Sequence, residues 1–199
     1  MSASSAKTPS GIVGPTFGTA SRPEPPSRSA VVLSFFAILV MALSLGPSFA
    51  HLLEAPPRLT AWPPELWREA TVFHGQFAYF AIVGAPLDVG AIVLGAIVTV
   101  VVRRRRPAFL LAMAGTILFT VSLATWISMV APANAILAQW VPGPIPDDFA
   151  AVRGRWEAGH IAISAIKAAG LCCALAGGLS LGRSRVTEAD RGSHAPAAR

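Results

Sequence analysis

Charge is the scarcest resource in this sequence. Asp, Glu, Lys and Arg together make up 13% of its 199 residues, about half the share usual for a soluble domain. A water-facing surface cannot be covered with so few charges, so an ordinary soluble globule is excluded. Cysteine is also rare. Only Cys172 and Cys173 are present, adjacent in an apolar stretch, and they make no disulfide framework. No compact metal motif such as HExxH or CxxC occurs, so no metal and no cofactor is expected. The formal net charge of +6 might point to nucleic acid, but the basic residues cluster at the ends of apolar runs. That placement describes membrane topology and argues against a nucleic-acid partner.

What is abundant is apolar sequence, 53% of the chain. Four runs are long enough to cross a bilayer, for which about 20 residues suffice. They fall at about 30–50, 71–102, 107–130 and 158–182. The first carries no charge. The second exceeds one crossing and must tilt or project. Residues 1–29 are rich in Ser, Pro, Gly and Ala and cannot bury a core, and 183–199 read the same way; both are expected to be disordered tails. No cleavable signal peptide precedes the first span. The paired prolines Pro56–Pro57 and Pro63–Pro64 predict a loop after span one, and Pro142, Pro144 and Pro146 predict another before span four. The expected fold is all-α: an integral membrane antiparallel four-helix bundle, with the two outer loops forming a cap.

Lys and Arg placement sets the orientation. Lys7, Arg22, Arg28, Arg103 to Arg106, Arg183, Arg185, Arg191 and Arg199 share one side. Only Arg58, Arg68, Arg153 and Arg155 lie on the other. The first side is therefore expected to be cytoplasmic, with both termini on it, in a multi-pass protein of a bacterial inner membrane. All five tryptophans, Trp62, Trp67, Trp126, Trp140 and Trp156, fall in the outer half, where belts usually form at both faces.

Three histidines mark the outer boundary: His51 ends span one, His74 begins span two and His160 begins span four. They raise either a bis-histidine haem site or interfacial histidines bonded to loop backbone. In VRGRWEAGHIAISAIK, Trp156, His160, Ser164 and Lys167 share one helix face, and Arg153 can pair with Glu157 at the same spacing. Such a stripe must face the bundle interior or water. It reads either as the wall of a pocket or as a headgroup anchor with a structural histidine. Two charges fall inside spans, Asp88 and Lys167. Each sits roughly 21–22 Å above the inner boundary at 1.5 Å per residue, so a buried ion pair between them is expected.

These residues resemble a group of small bacterial membrane proteins of unknown function related to the anthrone oxygenases. The likeness covers about residues 30–182. It rests on the span-one exit GPSFAHLLEAPPR, on Pro132 and Asn134 after span three, and on Arg155, Trp156 and His160 at the entry to span four. The resemblance implies oxidation of a polycyclic phenolic substrate by dioxygen with no bound cofactor. His160 would be the base and Asn134, Arg153 or Arg155 would hold the developing oxyanion. Trp140 and Trp156 would stack on the rings, with His51 and His74 lining the same outward-facing pocket for an apolar or aromatic molecule. The alternatives are a non-enzymatic membrane scaffold or partner subunit, and a bis-histidine haem protein. In each reading the lipid bilayer is the standing partner.

Overall fold

The computed structural model describes residues 27–74 and 76–193, with side chains over 27–74 and 79–182. The remainder of the tail expected over 1–29, and the end of the chain from 194, lie outside the described residues. Helix α1 spans Arg28–Thr60, α2 Pro64–Arg68, α3 Gln76–Val101, α4 Arg106–Thr125, α5 Ala131–Leu137 and α6 Phe149–Ser193. Two π-helical turns, Glu69–Phe73 and Trp126–Val130, interrupt the second and third stretches. There is no strand among the described residues.

Four stretches are long and apolar enough to cross a membrane: Arg28–Thr60, Tyr79–Val101, Arg106–Leu137 and Phe149–Gly182. The protein is a multi-pass all-α membrane bundle. Helix α1 packs against α3 and α6, and α4 against the same two, so the long helices form a ring with α1 and α4 on opposite corners.

The seam of α1 explains the packing. Its buried residues are Ala30, Ser34, Ala37, Met41, Ser44, Ser48, His51, Ala55 and Arg58, an unbroken alternation of three- and four-residue steps. That 3.5-residue period keeps one stripe facing a neighbour along a left-handed supercoil. The stripe is built from small and polar residues, as expected where lipid provides no hydrophobic drive and backbones must approach closely. Between α4 and α6 the approach is tighter still. A Cβ on Gly115 would lie 3.0 Å from the Gly170 carbonyl oxygen.

Several elements differ from the sequence reading. Helix α1 does not end near residue 50. It carries Pro47, Pro56 and Pro57 inside it and runs to Thr60. A proline removes one intrahelical bond, but the last turn is closed by the Ala61 and Trp62 amides, which donate to the Pro57 carbonyl at 2.9 and 3.1 Å. The expected second span is not one helix: residues 71–73 belong to the π-turn that follows α2, and helix α3 begins at Gln76. Helix α6 starts at Phe149 and its backbone stays helical to Ser193, into the region expected to be disordered from 183.

The two outer segments do form a cap. Arg68, at the end of α2, donates to the Pro144 carbonyl at 2.8 Å and the Gly143 carbonyl at 2.6 Å. Gly143 has φ +145°, a conformation that favours glycine, and this turn presents the adjacent carbonyls to one guanidinium. Beneath lie Trp67, Val130, Phe149 and Trp156, all buried. The cap is tied to the bundle by a carboxylate. Glu157 Oε1 accepts from Trp67 Nε1 and lies 2.9 Å from Arg58 Nε, and Glu157 Oε2 accepts from Arg58 Nη2 at 3.1 Å. The sequence reading pairs Glu157 with Arg153. The structure pairs it with Arg58, because the α1 seam continues through the prolines.

Arg58 and Glu157 are each 1% exposed. Removing one charge from a buried pair costs about 3–5 kcal/mol. Glu157→Gln, which keeps an acceptor for Trp67, is therefore expected to lower the unfolding free energy of the detergent-solubilised protein by about that amount. Its tryptophan emission is expected to shift to the red as the cap loosens. An unchanged unfolding midpoint with unchanged emission would refute the role given to the carboxylate.

Candidate functional site

Two polar stripes face each other across the bundle interior. Ser44, Ser48 and His51 are successive seam positions of α1, while Trp156, His160, Ser164 and Lys167 share one face of α6. Where the stripes are closest they bond directly. The Ser164 hydroxyl sits between the Ser48 and His160 carbonyls and shares its single proton between them. Lower down, Lys167 Nζ reaches Asp88 Oδ1 at 2.6 Å, Ser48 Oγ at 3.0 Å and the Ser44 carbonyl at 3.3 Å. An ammonium has three donors, and these three acceptors account for all of them. Ser44 Oγ donates a further bond of 2.5 Å to Asp88 Oδ1. The ion pair expected from the matching heights of Asp88 and Lys167 is thus made, with serines completing it.

At the outer end the histidines meet. The rings of His51 and His160 stack at 4.1 Å between centroids, 26° from parallel. Trp156 stands edge-on to His160 at 4.3 Å and to His51 at 5.3 Å, and Phe80 tilts against His51 at 4.9 Å. Trp156 is held in turn. Its Nε1 donates to Asn134 Oδ1 at 2.9 Å, the Arg58 guanidinium carbon lies 5.2 Å from its ring centre, and Trp67 packs edge-on above it at 5.6 Å.

Between the histidines and the ion pair lies a cavity of about 180 Å³. A dry cavity of about 150 Å³ is enough to hold benzene. His51, His160, Trp156 and Asn134 line its outer end. Asp88, Lys167, Ser44 and Ser48 line its floor, and Phe80, Leu123, Trp126 and Ile163 line its sides. In the inner half of the bundle the small-residue seams leave a gap of only about 20 Å³.

Of the residues singled out from the sequence, His51, His160, Trp156, Asn134, Asp88 and Lys167 therefore converge on one cavity. Four do not. Arg155 is exposed and donates to the Ser128 carbonyl at 2.8 Å. The Arg153 guanidinium lies 5.8 Å from the Phe149 ring centre. Trp140 stacks on Phe149 at 5.7 Å within the cap. His74 is 68% exposed beside Glu69, 3.6 Å away, because the second span breaks before reaching it. Asn134 presents its oxygen to Trp156, so its evident work is to position that ring. Ser44, Ser48 and Phe80 escaped the sequence reading, and Trp126 entered it only as one of the outer tryptophans. The seam spacing of α1 carried a signal for Ser44 and Ser48, whereas Trp126 enters through a π-turn that periodicity does not foresee.

A haem does not fit these histidines. Two axial imidazoles must stand on opposite sides of a porphyrin with nitrogens aimed at the iron. His51 and His160 are in face-to-face contact and leave no room for a macrocycle between them. No group of three His, Cys, Asp or Glu side chains converges among the described residues.

No family model, no curated protein and no solved structure matches this chain.

The floor of the cavity yields a prediction. Lys167 is 4% exposed and Asp88 14% exposed, so Lys167→Met strands a carboxylate in the bundle and is expected to cost about 3–5 kcal/mol. Adding Asp88→Asn to Lys167→Met is expected to restore most of that loss. Unfolding of the detergent-solubilised variants measures both. A double variant no more stable than Lys167→Met would show that the pair is not coupled.

Proposed function

We propose that this protein is a membrane-embedded enzyme that performs acid–base and oxygenase-like chemistry on a small aromatic molecule held between the histidine pair and the Asp88–Lys167 pair. The observation that carries the reading is the convergence of both stripes on one cavity with apolar sides and polar ends. That composition is usual for small-molecule sites. Fixed ion pairs at a cavity wall also supply preorganised electrostatic stabilisation for charge that develops during a reaction.

The chemistry implied by the likeness to the anthrone oxygenases has a balanced form. A base takes a proton from an acidic ring CH2 beside an aromatic ketone. The resulting carbanion transfers its electrons to dioxygen and forms a C–O bond, and the peroxide is protonated. Removal of the second C–H proton then breaks the O–O bond, leaving a new carbonyl and one water. The CH2 carbon is oxidised by four electrons and both atoms of dioxygen are reduced. His160 is the base in this scheme, because a neutral imidazole offers one nitrogen as proton acceptor and its ring lines the cavity. Lys167 is the cation that faces the negative charge. Arg153 and Arg155 take no part, and Asn134 acts by positioning Trp156.

The same reading places the protein in a bacterial inner membrane with both termini in the cytoplasm. Its support is the excess of Lys and Arg at the end of the bundle that holds the α3–α4 turn and the start of α1.

Dioxygen uptake by protein in lipid nanodiscs, with anthrone supplied, tests the proposal. The wild-type rate is expected to exceed spontaneous autoxidation. His160→Ala is expected to insert normally and lose roughly 10²–10⁴-fold in rate, the usual worth of a positioned general base. Equal uptake by the two proteins, or no uptake above background by either, would overturn the oxygenase reading.

A further inference from the structure

We propose that the cavity fills sideways from the hydrocarbon, through a window along the outer half of α3, and that its ligand is a lipid-soluble phenol of one or two rings. The inference rests on the reading of the cavity as a ligand site.

The window is visible in how α3 packs. No residue from Tyr79 to Gly90 is buried, and full burial on α3 begins only at Ala91. That holds for the described side chains of α3, from Tyr79 on, yet Phe80, Ala81, Gly84, Ala85 and Asp88 of the same stretch line the cavity. Ala81 and Ala85 are exposed and lining at once, so the wall there is one methyl group thick. Positions 81, 84, 85 and 88 follow helical spacing and share one face. Between the two alanines sits Gly84, where an added Cβ would meet nothing within 4 Å. That open space adjoins the cavity. The stretch belongs to the apolar crossing Tyr79–Val101, so its exposed side faces lipid. Above the histidines Trp156 packs beneath Trp67, both buried, which leaves Asn134 as the exposed residue of the outer lining.

The ligand class follows from the dimensions. His160 and Lys167 are seven residues apart on α6, which separates the polar ends by roughly 10 Å. The sides are aromatic and aliphatic. A flat ring carrying a hydroxyl satisfies both: the ring lies against Phe80 and Trp126, and the hydroxyl bonds either the imidazoles or the Asp88–Ser44 floor. Further rings, as in an anthrone, would extend toward the window.

Stopped-flow quenching of tryptophan fluorescence by 4-nitrophenol, in nanodiscs, tests the route. Trp126 and Trp156 line the cavity, and this phenol absorbs where tryptophan emits. Gly84→Leu narrows the window from a position where a Cβ meets nothing within 4 Å. It is expected to slow both association and dissociation by tenfold or more. Ala135→Leu, on the exposed face of α5 beside Asn134, is expected to leave both rates unchanged. Unaltered rates in Gly84→Leu, an effect on dissociation alone, or slowing by Ala135→Leu would overturn the side entrance while leaving the cavity a binding site. Absence of saturable quenching in the wild type would remove the ligand site itself, and the entrance with it.

Discussion

The arrangement depends on one carboxylate. Glu157 is 1% exposed and spends both oxygens on groups from two other segments, the Arg58 guanidinium of α1 and the Trp67 indole of α2. A charge placed in a low-dielectric interior is tolerated only when its partners are fixed, so this contact sets the distance between α1 and α6 at their outer ends and seats the cap on both. Consequences pass downward by packing. Trp67 rests on Trp156, Trp156 stands against His160, and His160 stacks on His51. The orientation of the two imidazoles is therefore tied to this ion pair, whose Arg58 also donates to the His51 carbonyl at 2.9 Å.

A second ion pair brackets the cavity from below. Lys167 and Asp88 close with two serines so that every ammonium donor is used. Hydrocarbon makes such completeness obligatory, since no water arrives to satisfy a stray donor. The two pairs also divide the bundle. On the inner side of Lys167 the helices meet through alanine and glycine with almost no void. On its outer side the seam residues are serine and histidine, the upper half of α3 stands away, and space opens. Tight packing below and bracing above are what allow an unfilled volume to persist between them, because a cavity's cost to stability grows with its size and must be offset elsewhere in the bundle.

Much of this was legible in the sequence. Runs of uncharged residues dictate the crossings, and equal heights along two helices foretold the contact of Asp88 with Lys167. The Trp156–His160–Lys167 stripe correctly marked the inward face of α6. The departures have two causes. Span one is expected to end near residue 50 with Pro56–Pro57 in the loop that follows, which assigns Arg58 to that loop and Glu157 to a local partner, Arg153. Proline's loss of one amide is a local penalty, whereas the three-four seam of α1 holds for its whole length, and the summed packing prevails. Had the seam been followed through the prolines, Arg58 would have fallen on it. His74 departs for the opposite reason: the apolar run 71–102 is expected to be one helix, whereas a π-turn ends at Phe73 and α3 begins at Gln76. Periodicity reports the face of a residue, and only tertiary contacts decide whether two consecutive helices are collinear.

The position of the cavity bears on what it selects. A molecule already dissolved in the bilayer has shed most of its hydration, so entering an apolar cavity from lipid gains little from the hydrophobic effect, which depends on surface removed from water. Apolar contact alone would then distinguish poorly between a ligand and a lipid chain. Discrimination has to come from the polar ends, where hydrogen bonds and charge count for more than they do in water. The sequence concentrates its few internal polar groups at those ends: imidazoles at the outer one, a serine-braced ion pair at the inner one. An acyl chain would leave both unsatisfied, and a flat molecule with one polar substituent would satisfy at least one. Scarcity of charge and selectivity of the site are in this sense the same design. The charges that remain inside the membrane are those that bind the helices together and, at the cavity wall, those that the proposed ligand would meet.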